Sequence, residues 1–157
     1  MGIATHLGPW LLGTNRYTTG TTAATTRNTG ATQVVQTKTV AFNDADDTNA
    51  FALPAGSLIV AFRFITTTTF TAASTITLSI GGTAVTSALT VTSPGSYSFT
   101  VAATEAAAAL IANTGTTDKF VTYTVAQGAS SDGAGVLVVE YVVRNSDGTM
   151  YQTAREV

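Results

Sequence analysis

The chain of 157 residues has no cysteine, a single histidine, three prolines and only 10% charged residues. Without cysteine there are no disulfides, no thiolate metal sites and no cysteine nucleophile. The charged fraction is well under half the ordinary share. The formal net charge is −2, with Lys and Arg scattered singly. No basic stripe is present to neutralise phosphates, so nucleic acid is not expected as a partner. No apolar run approaches the ~20 residues of a membrane-spanning helix, and no membrane partner is expected. Residues Met1–His6 lack the charged head and apolar run of a secretory signal. Gly2 would suit N-myristoylation, but His6 stands where that motif requires Ser or Thr.

The residues that usually carry chemistry are equally sparse. His6 has no acid at a useful spacing, and nucleophilic catalysis needs a nucleophile and a base held rigidly together. Asp44, Asp46 and Asp47 form the one acidic cluster. Calcium wants six or more oxygens, and neither the mid-loop glycine nor the terminal glutamate of an EF-hand is in place. These residues suit a turn in which Asn and Asp bond their own backbone. Gly81-Gly82 is no phosphate loop, because no lysine follows. Ser130-Ser131-Asp132-Gly133 is a loop whose serines have no partner base. No catalytic residue, cofactor or metal is expected, and the chain is not expected to be an enzyme.

What fills the chain instead is threonine, at roughly a fifth of all residues. Threonine is β-branched, stiff at χ1 and well suited to a pleated surface, and its hydroxyl wets a solvent face without charge. That composition builds strands.

Residues 1–32 differ from the rest. Leu7-Gly8-Pro9-Trp10-Leu11-Leu12-Gly13 is an apolar patch interrupted by glycines and a proline, and Tyr17 follows. Thr18–Thr32 is Thr, Ala, Gly and Asn, with Arg27 its only charge. Neither half has a period of 2.0 or 3.6, and so few large apolar residues cannot bury themselves. The expected state is an extended N-terminal arm that becomes ordered on another surface. Its interface residues would be Leu7, Pro9, Trp10, Leu11, Leu12, Tyr17 and Arg27, a composition suited to an interface hot spot. The plain alternative is that the patch folds back onto its own domain.

Residues 33–157 read as a β domain. Val34–Phe42 sets Val34, Gln36 and Lys38 against Val35, Thr37 and Thr39. Turns are expected at 43–47 and at Pro54-Ala55-Gly56. Leu58–Ile65 puts Leu58, Val60, Phe62 and Phe64 on one face and Ile59, Ala61, Arg63 and Ile65 on the other. With both faces largely apolar, one is expected to be core and the other to meet a neighbour. Thr75–Ile80 alternates Ile76, Leu78 and Ile80 with hydroxyls, and Gly81-Gly82 predicts a hairpin. A turn at Ser93-Pro94-Gly95 precedes a short strand from Tyr97 to Val101. Glu105–Asn113 predicts the one short helix, with Thr104 as its cap and Asn113-Thr114-Gly115 as its stop. Strands resume at 119–126. Val136–Val143 is a near-continuous apolar run, expected as a central strand buried on both faces. Seven or eight strands at this spacing predict an all-β antiparallel β-sandwich, jelly-roll-like.

Several strings are distinctive: His6-Leu7-Gly8-Pro9-Trp10-Leu11-Leu12-Gly13-Thr14, Gly20-Thr21-Thr22 and Arg27-Asn28-Thr29-Gly30-Ala31-Thr32. So are Gly115-Thr116-Thr117-Asp118 and Tyr141-Val142-Val143-Arg144-Asn145-Ser146-Asp147-Gly148-Thr149. They resemble a small family encoded by tailed phages of aquatic bacteria, over most of the chain. That family is similar to capsid decoration, or cement, proteins, which are compact β domains, commonly trimeric, on a shell of major capsid protein. The resemblance implies a homotrimeric virion protein on the outer surface of the capsid, assembled in the host cytoplasm, with the major capsid protein as partner. A tail- or fibre-associated virion protein and a carbohydrate-binding β-sandwich are the alternatives.

Deleting residues 1–30 is expected to leave a folded β domain, seen by far-UV circular dichroism, that no longer co-sediments with capsid shells.

Overall fold

A computed structural model describes residues 33–143. The expected arm, with its seven interface residues, lies outside the described residues. Strand β1 (Gln33–Ala41) is followed by β2 (Thr48–Leu53), β3 (Leu58–Thr68), β4 (Ser74–Ile80), β5 (Thr83–Ala84), β6 (Leu89–Val91) and β7 (Gly95–Ser98). Helix α1 (Glu105–Ala112) then precedes β8 (Lys119–Ala126) and β9 (Ala134–Val142).

The strands form two antiparallel sheets. The front sheet runs β1-β9-β3-β7; the back sheet runs β2-β8-β4-β5, with β6 also on β4. β5 pairs with Ser79 and Ile80, and β6 with Ser74–Ile76, on the same strand. Between them the Leu78 N–H donates to Thr86 Oγ1 at 3.0 Å, so a side chain replaces one ladder partner. Counted as one interrupted strand, β5 and β6 bring the total to eight and give the alternation between sheets of a jelly roll, as the spacing predicts.

Local chemistry explains most elements. In β4 every second residue is buried, with Ser74, Ile76, Leu78 and Ile80 inward. Gly81 and Gly82 have φ of +56° and +82°, the two positive values that a tight hairpin turn requires and that side chains resist. α1 starts where Thr104 Oγ1 accepts the Ala107 N–H at 3.2 Å. It ends where Asn113 leaves helical geometry, its side-chain oxygen accepting the Gly115 N–H at 2.9 Å.

Two departures from the periodicity share one cause. β2 is not anticipated by alternation, because a register shift between Asn49 and Phe51 breaks it while still burying Phe51 and Leu53. In β3 the register skips from Ile59 to Ala61, leaving Val60 without a partner on β9. That bulge reverses the expected phase at its start: Ile59 is buried and Val60 faces out, while Phe62, Phe64 and Thr66 stay inward.

The core lies between the sheets. The front sheet contributes Val40, Ile59, Phe62, Phe64, Leu137, Val139 and Tyr141; the back sheet contributes Phe51, Leu53, Ile76, Leu78, Ile80, Val121 and Tyr123. Phe64 and Phe70 meet at a tilt, ring centroids 6.3 Å apart. The Phe64 ring lies over Gly135 of β9, where a Cβ would collide with it and would sit 2.6 Å from the Ile65 carbonyl oxygen. Gly135→Ala is therefore expected to destabilise the domain by ~1–3 kcal/mol through overpacking, read as a lower denaturant midpoint.

Candidate interaction surface

The two sheets present different chemistry to the outside. On the back sheet the outward pairs of β4 and β8 are Thr75 with Ala126, Thr77 with Thr124 and Ser79 with Thr122, mostly small hydroxyls, with Phe120 of β8 exposed on the same face. On the front sheet the outward rows join β1, β9 and β3: Val35, Glu140 and Ala61, then Thr37, Val138 and Arg63, then Thr39, Val136 and Ile65. Val35 is 57% exposed, Val60 53% and Ile65 42%, three of the five large apolar side chains most exposed among the described residues. An antiparallel sheet that met only water on this face would carry polar residues there.

The charges on this face neutralise one another. Arg63 Nε stands 3.4 Å from Glu140 Oε1, and Gln33 Nε2 donates to Glu140 Oε2 at 2.9 Å. Exposed as it is, the pair adds little stability. Its effect is to leave the surrounding valines and Ile65 without an unpaired charge beside them. β9 is central, as expected, but burial on both faces is not observed: Leu137, Val139 and Tyr141 are buried, whereas Val136, Val138, Glu140 and Val142 are half-buried. Among the described residues no element covers that outer row.

Both chain ends leave from this sheet. Gln33 is the register partner of Val142, and Val142 that of Leu58. Residues 1–32 and 144–157 therefore join the domain at one end of the front sheet, on adjacent strands.

At the same end, beside the β3 bulge, lies a groove of about 150 Å³. Phe62, Phe99 and Ile111 line it, Val60 and Val101 form its rim, and Arg63, Thr86 and Ser98 are its polar members. Alternation alone assigns Val60 to the core face, so this groove is invisible in the sequence; the bulge that exposes it has no sequence signature of its own.

The acidic cluster is structural at its half-buried member, Asp44. Asp44 Oδ2 accepts the Ala41 N–H at 2.9 Å and the Tyr123 hydroxyl at 2.6 Å. Asp46 and Asp47 are exposed, and the Asp47 N–H donates to Thr124 Oγ1. The described residues contain no group of three or more metal-ligating side chains. Ser130 and Ser131 bond the 71–74 loop, and the Ser130 and Ser74 hydroxyls lie 2.9 Å apart. His6 lies outside the described residues. Among the described aromatics, Phe120 alone is largely exposed, so no pair of rings forms a sugar platform there.

No protein-family model matches the chain, and no curated protein matches it. Among solved structures, a chain of the acidic stable capsid structure of Helicobacter pylori bacteriophage KHP30 is similar. It is 17% identical over 71% of this chain and 87% of that chain, with a TM-score of 0.48.

Tyr123 links the cluster to the core. Burial first, and then its hydrogen bond to Asp44 and that residue's negative charge, push its hydroxyl well above the ordinary tyrosine range. The fold therefore holds the proton more tightly than the unfolded chain does. The resulting stability is complete below the unfolded value of about 10 and is lost as pH rises beyond it, because the unfolded chain ionises first. Tyr123→Phe is expected to cost about 1 kcal/mol at neutral pH. Above pH ~10 its stability should fall less steeply than that of the parent protein, in denaturant titrations across alkaline pH.

Proposed function

We propose that this chain is a virion structural protein, a head-decoration or cement protein that binds and stabilises a shell of major capsid protein by surface contacts and without catalysis. The observation that carries the reading is the asymmetry of the sandwich. One outer face is mostly hydroxyls with a single exposed aromatic, Phe120; the other is richer in exposed valine and isoleucine, internally neutralised and uncovered among the described residues. Both chain ends join the domain at the edge of that apolar face, where the arm read from the sequence would extend the contact area.

Such a role asks for many modest contacts and little net charge, so that copies can crowd on one surface. A protein that binds the assembled shell and not its dissociated subunits stabilises the shell by mass action. The jelly-roll architecture is compatible with this role and does not argue for it, since viral capsid and lectin domains share it. The finer parts of the proposal are a homotrimer, a position on the capsid's outer surface and assembly in the host cytoplasm; the resemblance of the sequence strings supports them.

Two measurements test it. Quantitative mass spectrometry of purified particles should find this chain in many copies per head; only a few copies would favour a tail or fibre position, and none would sink the proposal. Ile65→Asp combined with Val35→Asp should leave the fold intact, since both side chains face outward, and lower shell binding at least tenfold in co-sedimentation. Unchanged binding would remove the front face from the interface.

A further inference from the structure

We infer that the groove beside the β3 bulge is the seat of the chain's own Trp10, docked with its flanking leucines in the free protein. This rests on the reading of residues 1–32 as an arm, and it names where the apolar end of that arm goes before any shell is met.

The groove's size limits its occupant. A cavity of about 150 Å³, walled by Phe62, Phe99 and Ile111 with Arg63, Thr86 and Ser98 on its polar side, accepts one aromatic ring and little more. It is too small for a helix or a sheet edge, so it suits an anchor side chain in an extended segment. Its rim residues Val60 and Val101 are 53% and 42% exposed, two apolar side chains that a docked ring would cover. Ser98 and Arg63 supply hydrogen-bonding groups at its margin, where an extended segment needs partners for its backbone.

The segment that fits is in the sequence. His6–Gly13 carries Leu7, Trp10, Leu11 and Leu12 with no Asp, Glu, Lys or Arg, and Trp10 is the only tryptophan of the chain. The tether also fits. β1 begins at Gln33, and the Gln33, Val142 and Leu58 row places the bulge two strands across and two residues along. At ~4.8 Å per strand and ~3.3 Å per residue that is a distance of roughly 12 Å. The twenty residues 13–32 reach several times farther when extended. A flexible tether longer than the span holds its segment at a high effective concentration, which favours the chain's own groove over that of another copy in dilute solution.

Because Trp10 is the sole tryptophan, its fluorescence reports the seat directly in the full-length protein. Its emission should be blue-shifted relative to a synthetic peptide of residues 1–32, with acrylamide quenching several-fold weaker, and both should be unchanged on dilution. V101D and V60N, at exposed rim positions, should move emission and quenching toward the peptide values, while F120D, on the back sheet, should leave them alone. Far-UV circular dichroism checks that each variant is folded. Peptide-like quenching in the unmodified protein would overturn the inference without needing any variant. Burial lost on dilution would also overturn it, by assigning the groove to a second copy, and so would burial that V101D and V60N leave intact. All these readings use the free protein, so their failure leaves shell binding to its own test, and absence of the chain from particles would leave the seat standing.

Discussion

The last described strand holds the front sheet together. β9 pairs with β1 over nine residues and with β3 on its other side, so the domain's first and third strands meet only through its last. Leu137, Val139 and Tyr141 carry the inner face of that insertion and pack into the common core. Closing such pairs spends chain entropy over about a hundred residues before the contacts repay it, and sheets of this kind fold slowly for that reason. The same insertion places the two chain ends side by side. It also requires Gly135, because the Phe64 ring occupies the space that a side chain would need.

The rest of the surface follows from the period of a strand. Successive side chains point to opposite faces, so a strand with one core face has one free face. On β4 and β8 that free face is mostly threonine and serine, with Ala126 and one exposed Phe120; on β9 and β3 it is largely valine and isoleucine with one neutralised ion pair. Hydroxyls satisfy water without the long, mobile charges that would keep neighbours apart. With so few charges in the whole chain, the two kinds of face differ in apolarity more than in charge, and the apolar one is where a partner gains most by covering it.

Parts of this were legible in the residues. The alternation of isoleucine and leucine with hydroxyls marks β4, Gly81-Gly82 marks its hairpin, and Thr104 with the alanine run marks α1. The suggestion that Leu58–Ile65 has one core face and one neighbour-facing side is consistent with Ile65 standing exposed. Two readings needed revision, and one strand was not anticipated. β2 hides behind its register shift, Val60 and Ile59 exchange places at the bulge, and β9 has one buried face where the apolar run implies two. The groove could not be read at all, because its lining comes from β3, the segment after β7 and α1, stretches that meet only in the folded chain.

The class of the fold, the hydroxyl-rich outer side of the back sheet, the turn chemistry and the scarcity of catalytic groups can be read from the residues alone, because each depends on residue type or on neighbours a few positions away. Folding settles which face of β3 enters the core, brings Asp44 to Tyr123, places the two ends of the described domain on neighbouring strands and opens a ring-sized groove beside Val60. Those outcomes depend on pairing between strands far apart in the chain, where one unpaired residue shifts the phase of everything before it, and no local period records that shift.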